Sequence, residues 1–346
     1  MDVDRVLLAA PRGFCAGVEM AIKALAWMVR VFEPPVYCYH EIVHNRVVVD
    51  RFRRLGVVFV DDVSEVPPGA PLMLSAHGSA PEVVDAARAG GGFVVDAVCP
   101  LVTKVHHEVK VRAGKGFSIL YVGHEGHDEA VGTMAVAPES IHLVETEAGV
   151  DALADASGPV ALLAQTTLSH QDWAGVLAAA RRRFPDLWMP GKSDLCFATT
   201  NRQSALTEIA GKADAIVVIG SANSSNTVAL EKVARSAGCA RVYRVNAAEE
   251  LPDDLSGVVG VTAGASAPEE LVRAVIARLD PAHGVEEVVV TDEDEYFPPP
   301  RELRDLLAAL DAVVSVTLGR APSPGSPFAD DRQRAASDVL DTLAVG

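Results

Sequence analysis

Short runs of apolar and β-branched residues alternate along the chain with stretches in which apolar positions recur every three to four residues. This is the pattern of an α/β protein with mostly parallel sheets. The first run, Val6-Leu7-Leu8-Ala9-Ala10, ends at Pro11 and reads as a buried strand. It hands over at Cys15 to a helical pattern from Val18 to Val31. The same event recurs at Phe93-Val94-Val95-Asp96-Ala97-Val98-Cys99-Pro100, with a helix to Arg112, and at Ser193-Asp194-Leu195-Cys196, with a helix to Ala213. Pro100 stands where a first helical turn tolerates proline.

A second polar turn follows each cysteine at a nearly constant offset: His44 lies 29 residues after Cys15, His127 28 after Cys99, and Ser224 28 after Cys196. A third follows a further strand, at His77, Thr166 and Ser266, with offsets of 62, 67 and 70. Ser79-Ala80-Pro81-Glu82 reappears as Ser266-Ala267-Pro268-Glu269, and both read as capping boxes, serine at N-cap and glutamate at N3. A strand, polar turn and helix unit repeated three times predicts three similar α/β lobes around a pseudo-threefold axis. The expected lobes are residues 14–97, 98–194 and 195–282, the last joined by an N-terminal strand within 1–13. Functional groups in such sheets gather beyond the carboxyl ends of the strands, where all nine turns stand. Residues 283–346 read as a C-terminal tail, extended at first, then two short amphipathic stretches, Leu303 to Val313 and Asp331 to Leu343. The Pro-rich run 321–327 separates them, and part of the end is expected to be mobile.

Composition narrows the function classes. At 346 residues, with 49% apolar and 22% charged positions, the chain is long enough for a large core and unlike a disordered protein. A net charge of −17 opposes a nucleic-acid or anionic-membrane partner. The first apolar run is too short for a signal sequence or a span, which predicts a cytoplasmic protein. The five cysteines are odd in number and scattered, so they do not read as a disulfide framework.

Three of them hold equivalent positions in the repeat. Cys15, Cys99 and Cys196, each near a helix N-terminus expected to lower its thiol pKa, suit one 4Fe-4S cluster with an iron left open to substrate. Cys38 and Cys239 fall outside the pattern. A Cys₃His zinc site is the nearest competitor, although such sites use close cysteine pairs, absent here. His44, His77 and His127 can donate to phosphate oxygens, and Ser224, Ser225, Asn226 and Ser266 add donors at helix starts, a diphosphate cradle that needs no net positive charge. Asn226 and Ser266 also read simply as N-caps. Of Asp128 and Glu129, adjacent on a helix and about 100° apart, one can face the axis as an enclosed proton donor, and the spacing does not choose between them.

The motifs Pro11-Arg12-Gly13-Phe14-Cys15-Ala16-Gly17-Val18, Asp96-Ala97-Val98-Cys99-Pro100-Leu101-Val102-Thr103-Lys104-Val105-His106 and Ala198-Thr199-Thr200-Asn201-Arg202-Gln203 resemble the 4-hydroxy-3-methylbut-2-enyl diphosphate reductase family. The resemblance runs in unbroken order over about residues 5 to 304. It implies a cluster on Cys15, Cys99 and Cys196, a diphosphate held by His44, His77, His127, Ser224, Ser225, Asn226 and Ser266, Glu129 as proton source, and Thr166 beside the substrate hydroxyl. It further implies reductive dehydroxylation of the allylic diphosphate at the unique iron, with ferredoxin or flavodoxin as electron donor. The stretch past Arg304 departs from the family pattern. A non-enzymatic iron-sulfur sensor and a zinc-dependent hydrolase of a phosphorylated small molecule are the alternatives.

Overall fold

The structure is a computed structural model and describes residues 1–153, 158–319 and 331–343. The elements, in chain order, are β1 (Asp2–Ala10), α1 (Ala16–Val31), β2 (Val36–Tyr39), α2 (Arg46–Arg54), β3 (Val57–Val60), β4 (Leu72–Leu74), α3 (Pro81–Ala89) and β5 (Val94–Asp96). There follow α4 (Pro100–Gly114), β6 (Ser118–Val122), α5 (Asp128–Met134), β7 (Ile141–Val144), α6 (Glu147–Ala152), β8 (Val160–Ala164) and α7 (His170–Arg183). The last are α8 (Phe197–Ala210), β9 (Ala215–Ile219), α9 (Ser225–Ser236), β10 (Val242–Val245), β11 (Ser256–Ala263), α10 (Glu269–Leu279), β12 (Val285–Val289), α11 (Arg301–Thr317) and α12 (Ala336–Thr342).

The strands form three sheets, ordered β3-β2-β4-β5, β7-β6-β8 and β10-β9-β11-β1-β12, and every strand pair is parallel. Parallel strands need crossover connections, which the intervening helices supply. Strands β8 and β9 are buried at every position, which is why they read as unbroken apolar runs rather than as alternating ones.

One contact recurs at the three cysteine turns. The Cys99 amide donates to the Ala76 carbonyl, the Cys196 amide to the Thr166 carbonyl, and the Cys15 amide to the Ala265 carbonyl, at 3.0, 3.0 and 3.2 Å. Each cysteine turn is thus pinned to the last polar turn of the lobe before it in the cycle. Gly13 makes the Cys15 turn possible. Its φ of +64° suits glycine, and a Cβ there would lie 3.1 Å from the Ala267 carbonyl oxygen.

Two expectations are corrected and one is made more specific. The extended start of the tail, Val285–Val289, pairs with β1 as the edge strand β12. The helix expected over Leu303 to Val313 runs the full length of α11, and α12 packs with Ala336 and Leu340 buried, so the end of the chain is anchored there. The Pro-rich run 321–327 lies outside the described residues. The two capping boxes do not form, since α3 starts after Ala80 and α10 after Pro268, neither with a side-chain cap. In both, the residue before the proline is disfavoured in the α region, which moves the helix start one residue on at α3 and two at α10 and frees Ser79 and Ser266 from capping.

Candidate active site

Cys15, Cys99 and Cys196 are the N-cap residues of α1, α4 and α8. All three line one cavity, with a volume of about 100 Å³. His44, His77, His127, Glu129, Thr166, Ser224, Ser225, Asn226 and Ser266 line the same cavity, so the structure brings together the residues that the family resemblance implied. The expected lowering of the thiol pKa values does not occur. Burial outweighs the helix termini and pushes all three thiols up, Cys196 to about 12, and the nearby sulfurs raise Cys99 and Cys196 further. Arg202 opposes the rise at Cys15.

Glu129 is the acid that faces the cavity. It is 2% exposed; the Thr166 amide donates to its Oε1 at 2.7 Å and the Thr166 hydroxyl to its Oε2 at 3.0 Å. Burial lifts its pKa to about 7, against the pull of the two Thr166 bonds and with a further push from the Asp194 charge. Asp128 instead meets the imidazoles, with its Oδ1 2.7 Å from His40 Nδ1 and its Oδ2 3.7 Å from both His44 Nε2 and His77 Nδ1. Burial would raise it, but the His40 hydrogen bond and the charges of the neighbouring rings hold it at about 2.

The His44 and His77 rings stack at 3.9 Å, with His127 edge-on at 5.2 Å from His44. Burial and mutual repulsion push His77 well below its ordinary value and His127 to about 4. His44 Nε2 and His77 Nδ1 are buried with no hydrogen-bond partner, which suits donors that await an anionic ligand. His127 Nδ1 is occupied, accepting from the Glu129 amide at 3.2 Å.

On the third-lobe side Ser224 is the N-cap of α9. Asn226, read as a cap, lies inside the helix. Its Oδ1 accepts from the Ala265 amide at 2.9 Å and its Nδ2 donates to Thr199 Oγ1 at 3.4 Å. The Ser266 hydroxyl donates to the His44 carbonyl at 2.9 Å, joining the first and third lobes.

Sequence reasoning missed several neighbours. Gln165, fully buried, accepts from the His124 amide and donates to Thr167 Oγ1 and Ser225 Oγ, at 2.9, 3.0 and 3.3 Å. Its place beside Thr166 in a polar turn was the available signal. Phe297, from the segment read as tail, forms part of the cavity wall, and nothing in the repeat points to it.

The family model described as LytB protein matches residues 6–280. The chain belongs to the LytB protein family. Among its relatives, the 4-hydroxy-3-methylbut-2-enyl diphosphate reductase of Rhodopirellula baltica is 49% identical over 314 residues, 89% of this chain and 98% of that protein. The protein of the same name from Leifsonia xyli is 47% identical, over 88% of this chain and 92% of its own. Among solved structures, the E-1-hydroxy-2-methyl-but-2-enyl-4-diphosphate reductase of Plasmodium falciparum matches with a TM-score of 0.85 at 30% identity, covering 90% of this chain and 99% of that one. A second, described as (E)-4-hydroxy-3-methyl-but-2-enyl diphosphate reductase, the terminal enzyme of the non-mevalonate pathway, matches at 0.58 and 28% identity, covering 80% and 99%.

LytB proteins use an iron-sulfur cluster, and the donor set here fits one. Among the described residues, the one set of three or more candidate ligands whose atoms all lie within 4.8 Å of one another is His44, His77 and Asp128. The three thiols are thus spread too widely for a single ion, whose sulfur ligands at about 2.3 Å would lie about 3.8 Å apart. That spread suits several metal atoms. Gly17 keeps the space open, since a Cβ there would meet Cys99 Sγ at 2.8 Å. Among the described residues, no helix is long and apolar enough to cross a membrane.

Proposed function

We propose that this chain reductively dehydroxylates (E)-4-hydroxy-3-methylbut-2-enyl diphosphate to isopentenyl and dimethylallyl diphosphates. In this reading Cys15, Cys99 and Cys196 hold one 4Fe-4S cluster, and a cytoplasmic ferredoxin or flavodoxin donates the two electrons that the reaction consumes with two protons to release water. When bound, the cluster supplies one-electron transfer and an iron with an open coordination position. The family relationship supports the substrate class, and the observation that carries the site assignment is a protonatable carboxyl, Glu129, buried in the same cavity as three thiols.

The protein's own groups divide the work by position. His44 and His77, with unpartnered ring nitrogens, and His127 face the diphosphate from one side, and Ser224, Ser225, Asn226 and Ser266 face it from the other. A diphosphate brought beside His77 and His127, which burial holds neutral, favours their protonation, so binding recruits positive charge at these two rings. With its charge fixed, the substrate is oriented for reaction. Glu129, half protonated near neutral pH, delivers a proton to the leaving hydroxyl oxygen, and Thr166 orients the carboxyl through two bonds.

One observation favours the rival hydrolase, namely that His44, His77 and Asp128 present three ligand atoms close together. Anaerobic purification with iron, sulfide and zinc analysis and EPR, then turnover with a reduced one-electron donor, separates the readings. About four irons per chain and substrate-dependent oxidation of the donor, both lost in Cys99→Ser, support the reductase. Zinc without iron supports the hydrolase, and a cluster without turnover the sensor.

A further inference from the structure

The segment 331–343 lies past the part of the chain that the family model matches, and it meets the body of the protein at two levels. Toward α1 it is packed and ion-paired. Ala336 and Leu340 join the core that holds Ala21, Leu25 and Met28, and Glu19 Oε2 accepts from the Ala336 amide at 2.7 Å. Lys23, only 4% exposed, donates to the Asp331 carbonyl at 2.9 Å and pairs with Glu19 at 3.3 Å. A buried ammonium on α1 requires such partners, so the helix that begins at Cys15 is built to receive this segment.

Toward the active site the same segment grips residues 291–297. The Tyr296 hydroxyl donates to Asp331 Oδ2 at 3.0 Å, and Arg332 donates to the Asp294 carbonyl at 3.1 Å and to its carboxylate at 2.6 Å. Just before these grips Glu293 accepts from Arg202 through both oxygens at 3.0 Å and from Asn201 at 3.0 Å. Arg202, 1% exposed, donates in turn to the carbonyls of Gly13, Phe14 and Ala198, which flank Cys15 and Cys196. One residue after Tyr296, Phe297 forms part of the wall of the active-site cavity. The space between α1, this strap and the C-terminal segment is a polar cavity of about 290 Å³. On the side of this cavity the strap is held to the C-terminal segment by polar bonds.

We propose that residues 331–343 form a clamp on the 291–297 strap, so that Glu293 keeps Arg202 on the Cys15 turn and Phe297 closes the active-site cavity. Asp331, Tyr296 and Glu293 are positioning residues that act through Arg202 and Phe297. The clamp rests on contacts rather than on the reaction assigned above, and its test keeps the two apart.

Full-length Tyr296→Phe, Asp331→Asn and Glu293→Gln are compared with the parent, as purified with its metal content, by backbone hydrogen exchange and by cluster bleaching with a chelator. The Gly13, Cys15 and Val290 amides, which donate to Ala263, Ala265 and Ala10, report on the strap and the Cys15 turn. The clamp predicts exchange at least ten-fold faster at these amides in all three variants, bleaching several-fold faster, and a rise in substrate KM larger than the fall in kcat. Exchange that speeds up only within 331–343, or nowhere, overturns the clamp and leaves the segment a stabilising appendage. Should the parent hold no cluster or not turn over, the functional assignment fails while the exchange data still decide the clamp.

Discussion

Glu129 and Thr166 meet through two hydrogen bonds, one from the threonine amide and one from its hydroxyl, each to a different carboxylate oxygen. The amide bond is fixed by the turn after β8, so the backbone positions the acid and the hydroxyl tunes it.

Glu129→Gln should keep this geometry and lose the proton. Turnover is expected to fall by about 10²- to 10⁴-fold while iron content is unchanged; a fall below ten-fold would remove Glu129 as the proton source. The folded pKa, near 7, lies above the ordinary value of 4.5, so the carboxyl contributes stability at low pH that is lost as pH rises from 4.5 through 7. Parent kcat/KM should decline above about pH 7. Urea unfolding at pH 8 should find the ligand-free Gln variant more stable than the parent, by up to about 3 kcal/mol.

Thr166→Val removes the hydroxyl bond and leaves the amide bond. That bond favours the ionised carboxylate, so its loss should raise the Glu129 pKa and move the alkaline limb of kcat/KM to higher pH, with roughly ten-fold slower turnover from poorer orientation. A limb that stays in place or moves to lower pH would show that the hydroxyl does not tune the acid.

Gly17→Ala places a methyl group 2.8 Å from Cys99 Sγ. The sulfur must move, and overpacking of this kind costs about 1–3 kcal/mol. Iron and sulfide per chain should drop by at least half relative to the parent. Full loading would mean that the cysteine turn shifts freely.

Arg202→Leu leaves the Glu293 charge and three carbonyls without their partner in a buried place. Removing one member of a buried pair costs about 3–5 kcal/mol. Urea denaturation should show this, and Arg202→Leu/Glu293→Leu should recover part of it. A double variant no more stable than Arg202→Leu alone would argue that the carbonyls, not the carboxylate, bear the loss.

The sequence made the site legible because repetition is visible without coordinates. Cys15, Cys99 and Cys196 stand at one phase of a threefold pattern, and their cavity neighbours stand at the other two. What spacing could not show was the balance of opposed local effects. The helix termini at the cysteines promised lowered thiol pKa values, and burial reversed that. Ser79 and Ser266 had the spacing of capping boxes, and Pro81 and Pro268 moved the helix starts. Asp128 and Glu129 could not be told apart by phase, and only their different partners, His40 and Thr166, separate them. Phe297 and β12 belong to no repeat, so nothing periodic marked them.

The sheet order β11-β1-β12 has a consequence for how the molecule is made. The strand synthesised first can complete its pairing only after residues 285–289 have emerged, when most of the chain already exists. Contacts between such distant parts form slowly, because long loops must close first. The Cys15 turn, which follows that strand and is fixed by Ala265, waits until then, whereas Cys99 can settle on Ala76 much earlier. A nascent chain therefore cannot bring all three thiols together until translation is nearly finished, and under the proposed cluster assignment metal loading is expected only at the end of synthesis.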